Sequence, residues 1–386
     1  MLSRNIKSEL ADLPTPFYLY DMELLRRTLE EVSTQSSRYG YKVHYAVKAN
    51  FDRRIVSEIG KWGLGIDCVS GGELALVREL GFAAGDVVYA GVGKSDEEIR
   101  YAIREGICAF NCESRQELQV IDALAAETGL RARVALRVNP DVDPHTHRHI
   151  STGHADSKFG ISYKEIDRIL PELASYKNVD VVGLHFHVGS QICDMRIFEF
   201  FCRRVNTLVE WFREHGLTDI RYLNMGGGLG INYDNPEAQP IPDFESYFAV
   251  FDKFLNVPQG AEVHFELGRA IVGQCCELVS RVLFNKVNAA GNNVAVVDAS
   301  MAELIRPALY GAFHSIENLD ARQGDAVLPY TVAGTVCESS DIFAQGRELP
   351  RLHRSDMVSI KSAGAYGMSM ASRYNLHAAP HSVYYG

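Results

Sequence analysis

Eight short apolar runs, each followed by a helical pattern, constrain the fold of this chain more than any single residue. The runs cover residues 41–50, 65–69, 87–91, 109–113, 134–139, 181–187, 220–225 and 262–266. Between them, stretches such as 54–62, 73–80 and 114–121 repeat apolar residues at helical spacing, and Ser70 and Ser114 stand where N-caps belong. Short buried strands alternating with helices predict parallel βα units. Eight units over ~230 residues match the count and size of a (β/α)8 barrel. Such a barrel gathers functional side chains at the C-terminal ends of its strands. The runs here end in Lys48, Asp67, Asn111, Glu113, Arg137, Asn139, His185, His187, Glu266 and Arg269. A rim with only a structural role needs no such set.

Beyond residue 275 the pattern changes. Strand-like runs at 276–284, 293–298, 326–334 and 357–361 follow with few helices between them, and 16–20 forms a further one ahead of the barrel. The expected organisation is therefore α/β: a (β/α)8 TIM barrel over 22–275, and a β-rich domain built from 1–21 and 276–386 that completes the active site. The chain has 386 residues and a net charge of −10, without a lysine- or arginine-rich block, so neither nucleic acid nor an anionic membrane is an expected partner. No apolar run approaches the ~20 residues of a membrane span, and the N-terminus does not read as a secretory signal. Eight cysteines lack C-x-x-C or other regular spacing. They are expected as free thiols in the cytoplasm. His145, His147, His149 and His154 crowd together in a stretch that reads as loop. Nothing there fixes ligand geometry, and no metal is expected.

Lys48 ends the first run and has two readings. It is either a strand-end lysine that snorkels to water, or an amine held in a dry pocket with a lowered pKa, ready to form a Schiff base. The loops after the seventh and eighth runs bear on the choice. The seventh closes on Met225-Gly-Gly-Gly-Leu-Gly230, and the eighth on Glu266-Leu-Gly-Arg269. Glycine amides let an anion approach closely, and TIM barrels often hold phosphate at these two loops. A tight βα turn explains the glycines equally well. Together, a lysine, a phosphate cradle and a carboxylate on one rim are the elements that pyridoxal 5′-phosphate needs. An acidic partner keeps its ring nitrogen protonated, which suits loss of CO2 better than racemisation.

The chain resembles the fold-type III pyridoxal-phosphate decarboxylases, with the alanine-racemase-like barrel, and among them most resembles the diaminopimelate decarboxylases. The resemblance rests on Tyr45-Ala-Val-Lys-Ala-Asn50, Gly183-Leu-His-Phe-His-Val-Gly-Ser-Gln191, the glycine run and Glu266-Leu-Gly-Arg269. It extends to Leu304-Ile-Arg-Pro-Ala-Leu-Tyr310, Cys337-Glu-Ser-Ser-Asp341 and the segment 363–375. Leu267 departs from it, standing where the family usually has proline. The resemblance implies that Lys48 holds the cofactor covalently and His187 stacks on its ring. Ser190, Gly227, Gly228, Gly268, Arg269 and Tyr366 would hold the phosphate. Cys337 would return a proton to the α-carbon, arriving from the second subunit of a homodimer.

Arg306 and Tyr310, four residues apart, share a helical face. They are either a surface arginine and a half-buried tyrosine, or a carboxylate clamp, since guanidinium forks match carboxylates. Meso-diaminopimelate carries a distal carboxylate and ammonium. Arg306 and Arg269 would take the first and Glu338 the second, with Tyr310 and Tyr366 beside them. The implied reaction yields L-lysine and CO2. Carboxynorspermidine or a basic amino acid is the alternative substrate. A non-catalytic regulator is a third reading, disfavoured because Lys48, Glu266 and Cys337 occur together.

Overall fold

The computed structural model describes residues 9–140, 142 and 158–386. It folds as two compact units: Arg26–Ile231 with Ile241–Ile271, and Met1–Leu25 with Asn232–Pro240 and Val272–Gly386.

After β1 (Phe17–Asp21), which belongs to the second unit, eight parallel strands form a closed barrel. They are β2 (Lys42–Ala46), β3 (Gly65–Cys68), β4 (Val87–Tyr89), β5 (Ala109–Cys112), β6 (Ala132–Arg137), β7 (Val179–His185), β8 (Tyr222–Asn224) and β9 (Glu262–Leu267). Each of the eight expected runs supplies one strand, and the β2–β9 pairing, with Val43 opposite Phe265, closes the ring. β8 keeps only three of the six residues expected, yet pairs with both β7 and β9.

The helices start where their sequence says they should. Ser70 and Ser114 accept hydrogen bonds from the amides of Glu73 and Glu117. Ser95 and Glu98 form a reciprocal capping box. Outside the barrel, β9 turns Phe265 towards Phe248 and Phe251, with ring centroids 5.2 and 4.7 Å apart at steep angles. Each such buried ring contributes on the order of 1.5–3 kcal/mol, so this cluster anchors the strand that carries Glu266.

The second unit contains an eight-stranded sheet. The long strand β10 (Cys276–Val287) pairs with β1 and with the strands β11 (Asn293–Val297) and Met357–Ile360. Leu10, Phe17, Leu19, Val279 and Met357 form its buried core. The strands Ile316–Asn318, Ile342–Pro350 and His381–Tyr385 were not expected from the sequence. They are short, or alternate with exposed polar residues, so no apolar run marks them. Among the described residues no helix is long and apolar enough to cross a membrane. The crowded histidines His145, His147, His149 and His154 lie outside the described residues.

Candidate active site

The side chains at the C-terminal ends of the barrel strands form two connected layers. The lower layer centres on Glu266 in β9, which is buried. Its Oε1 accepts from Asn111 Nδ2 of β5 and from Asn224 Nδ2 of β8, both at 2.8 Å. Its Oε2 lies 3.1 Å from His185 Nε2 at the end of β7. A carboxylate only accepts, so His185 carries its proton on Nε2. Burial alone would push the Glu266 carboxyl up. Contact with His185, together with the charge of Lys48, outweighs burial and holds it well below the usual carboxylate value. Burial in turn keeps His185 below its ordinary value, hence neutral. Neutral donors thus surround a permanent negative charge.

The upper layer begins at Lys48. The residue sits on a single 3-10 turn, Val47–Ala49, just past β2 rather than within the strand. The side chain is 35% exposed, and Nζ pairs with Asp67 Oδ2 at 3.0 Å. The turn lifts the amine off the strand and into reach of water. Asp67, from β3, is fully buried, and its Oδ1 has no hydrogen-bond partner. Burial pushes its carboxyl up to about 7, helped by the charge on Glu266 and opposed by Lys48.

The glycine turn after β8 packs directly against β9. A side chain on Gly227 would place a Cβ 1.9 Å from the Glu266 carbonyl oxygen, and Gly226 has a left-handed φ of 65°. The Gly227 amide donates to His187 Nδ1 at 3.1 Å. That bond fixes the imidazole proton on Nε2. The Gly228 amide is the next one in the turn. The loop after β7 is tied to the same turn, since the Ile192 amide donates to the Gly228 carbonyl at 2.9 Å. There Ser190 Oγ accepts from Arg269 Nη2 at 3.0 Å, and Arg269 is buried. Gly268 packs against Ala46 and Ala49, with no room for a Cβ. His187 is half-buried, and burial, with the Arg137 and Lys48 charges, holds its imidazole well below the ordinary value.

Not every strand-end residue joins this group. Arg137 and Glu113 form their own buried ion pair at 2.5 Å, with the Gly160 amide on the other Glu113 oxygen. Asn139 lies two residues past β6. In the second unit, Arg306 is buried. Its Nη1 lies 2.8 Å from His314 Nε2 and its guanidinium 4.6 Å over the Tyr233 ring. Tyr310 ends the same short helix, Arg306–Tyr310. Cys337 is exposed and its amide donates to Asn375. Glu338 is exposed and accepts from Ser340. Tyr366 has a left-handed φ of 58°.

Two comparisons with known proteins decide the family. Residues 23–273 match the model of the pyridoxal-dependent decarboxylases, pyridoxal binding domain. The chain belongs to the pyridoxal-dependent decarboxylases. A diaminopimelate decarboxylase of Bacteroides thetaiotaomicron is 47% identical over 95% of both chains. One from Aquifex aeolicus is 38% identical over 94% of this chain and 84% of its own. A crystal structure of diaminopimelate decarboxylase from Helicobacter pylori complexed with L-lysine superposes with a TM-score of 0.91 at 33% identity, covering 99% of this chain and 94% of its own.

The residues fit the cofactor of this family. A primary amine stands on the rim, a buried carboxylate held negative stands below it, and a glycine turn with Ser190 and Arg269 offers anion donors. Asn224 is the member that sequence reasoning missed. Its signal was the period-two alternation of β8, which turns Asn224 and Tyr222 into the barrel, where Asn224 Nδ2 also lies 2.7 Å from Tyr222 Oη.

Proposed function

We propose that the protein is a diaminopimelate decarboxylase, a pyridoxal-phosphate-dependent carboxy-lyase that converts meso-2,6-diaminopimelate to L-lysine and CO2. The observation that carries the chemistry is the Glu266 cage, a carboxylate kept negative by three neutral donors beneath a lysine amine. The choice of diaminopimelate is supported by the relatives, which bear that name at 47% and 38% identity over nearly the whole chain.

When bound, the cofactor supplies an electron sink for the pair released from the bond to the departing carboxylate. In this reading, Lys48 holds it covalently through Nζ. Glu266 keeps a proton on the ring nitrogen, because its charge is not free to be quenched by its own protonation. His187, locked in one tautomer by Gly227, packs on the ring face. Ser190, Gly228, Gly268 and Arg269 bind the phosphate, with the Tyr366 hydroxyl. Cys337 donates the proton that replaces the lost carboxyl group, and does so from the partner copy in a homodimer. Its exposure in a unit distinct from the barrel supports that role. Arg306 and Tyr310 take the distal carboxylate and Glu338 the distal ammonium. A cytoplasmic location is part of this reading, supported by eight cysteines that are all free thiols.

The test is CO2 and amine release from meso-diaminopimelate, its LL isomer, ornithine, lysine and carboxynorspermidine. Meso-diaminopimelate is expected to be the best substrate. Faster turnover of ornithine or carboxynorspermidine would overturn the substrate assignment while leaving the cofactor chemistry standing.

A further inference from the structure

We propose that the opposite, N-terminal end of the barrel carries a second small-molecule site, one that takes a zwitterion of the amino-acid class. A cavity of about 440 Å³ opens there, lined by the first residues of several strands, among them Lys42, His44, Arg133, Glu262 and His264. It lies at the end of the barrel away from Lys48 and Glu266, and nothing in the decarboxylation uses it.

The cavity wall contains a fixed hydrogen-bond chain. His44 Nδ1 lies 3.2 Å from the Asp86 carbonyl, and His44 Nε2 lies 2.8 Å from His264 Nδ1. A carbonyl only accepts, so His44 must donate from Nδ1. Its Nε2 is then an acceptor, and His264 must donate from Nδ1. The lone pair on His264 Nε2 remains. That atom is buried and makes no hydrogen bond, and Ser33 Oγ, on the same cavity, is also buried without a partner. Both histidines are more than nine-tenths buried, and burial holds both below their ordinary pKa. Gly65 keeps the chain in place, since a Cβ there would sit 2.4 Å from His44 Nδ1 and 2.7 Å from the Asp86 carbonyl oxygen.

The charges select the ligand. Glu262 Oε2 stands 3.5 Å from His264 Nε2, so two acceptors face each other with no hydrogen between them. An ammonium group, with three donors, satisfies the exposed Glu262 carboxylate, and a small shift of the His264 ring would bring its Nε2 into reach. Lys42 and Arg133 line the same cavity, and neither has an ion-pair partner among the described residues. A carboxylate satisfies those. An amine alone or a simple anion alone would leave one set unanswered. A divalent cation is disfavoured by the positive charges of Lys42 and Arg133, both of which bear on His264. Among the described residues, moreover, no group of three His, Cys, Asp or Glu side chains is arranged to hold one.

The experiment is calorimetric titration of L-alanine into holoenzyme reduced with borohydride, which blocks amine exchange at the cofactor. Propionate and ethylamine serve as single-charge controls. Saturable binding of L-alanine is expected, with both controls about tenfold weaker or worse. Glu262→Gln and Arg133→Gln, both at exposed positions, should each weaken L-alanine about tenfold. No saturation up to ~100 mM would overturn the proposal, well above the millimolar range of a weak specific site. So would binding that both substitutions leave unchanged, or controls that bind as well as L-alanine.

Discussion

The two layers of the barrel rim hold one buried carboxylate each, and they hold it by opposite means. Glu266 is surrounded by two asparagine amides and a neutral imidazole. None of these partners can lose its hydrogen-bonding proton near neutrality, so the charge is fixed. Asp67 has one partner, the Lys48 ammonium, and one oxygen with none. Its charge depends on the Lys48 ammonium, the amine that the proposed function makes reactive. The comparison teaches that dipoles make a charge permanent, whereas an ion pair makes it conditional on its partner.

Four substitutions break or sharpen that contrast. The largest effect is expected from Lys48→Ala, which removes the proposed covalent attachment. Turnover should fall by ~10³-fold or more, and the visible absorption of bound cofactor should shift. An unchanged spectrum would move the attachment elsewhere. Next, Glu266→Gln keeps the shape but discards the fixed charge. It should cost ~10²–10³ in kcat while cofactor retention, measured by equilibrium dialysis, changes far less. Equal losses in both would mean that Glu266 serves binding rather than chemistry.

Asp67→Asn acts through pH. The folded carboxyl is raised from 3.8 to about 7, so it resists ionisation that the unfolded chain undergoes freely. Its contribution to stability is fully present below 3.8 and is lost as pH rises through about 7. Urea unfolding of the wild-type apoprotein should therefore show a decline over that window on the order of 4 kcal/mol. Asp67→Asn should flatten it, and an equally steep decline in the variant would assign the titration to another group. The smallest effect is expected from Asn224→Ala, which removes one of three donors. It should cost ~1–3 kcal/mol of stability and shift the pH profile of kcat, because Glu266 becomes easier to protonate. A stability loss with an unmoved pH profile would make Asn224 structural only.

The barrel was legible because parallel strands are buried on both faces and so read as unbroken apolar runs. The strand ends were legible too, since Lys48, Asp67, Asn111, His185 and Glu266 interrupt those runs with charge or amide. What the runs did not disclose was partnership. Asn111 and His185 were visible as strand-end residues, but their joint hold on Glu266 depends on closure of the ring, which no local window contains. The run carries through Lys48 and left its two readings open, and the local window did not show the backbone turn at Val47 that leaves the amine part-exposed beside Asp67. Gly227 was read as a phosphate donor from the glycine run alone, and the bond from its amide to His187, in the loop after β7, is a contact that the run does not disclose. The strand Ile342–Pro350 escaped notice because its exposed residues, with Gly346 among them, look like loop.

Strand β1 has a consequence for synthesis. Its residues Phe17, Tyr18, Leu19 and Tyr20 are almost wholly buried, between β10 on one side and His381–Tyr385 on the other. On the ribosome this strand is made well before either neighbour. At ~5–20 residues per second the wait is roughly 10–50 s for β10 and 20–70 s for His381–Tyr385. Until β10 arrives the nascent chain offers a bare aromatic strand with two open edges to whatever is near, so the protein's yield in cells should depend on chaperones that shield this strand.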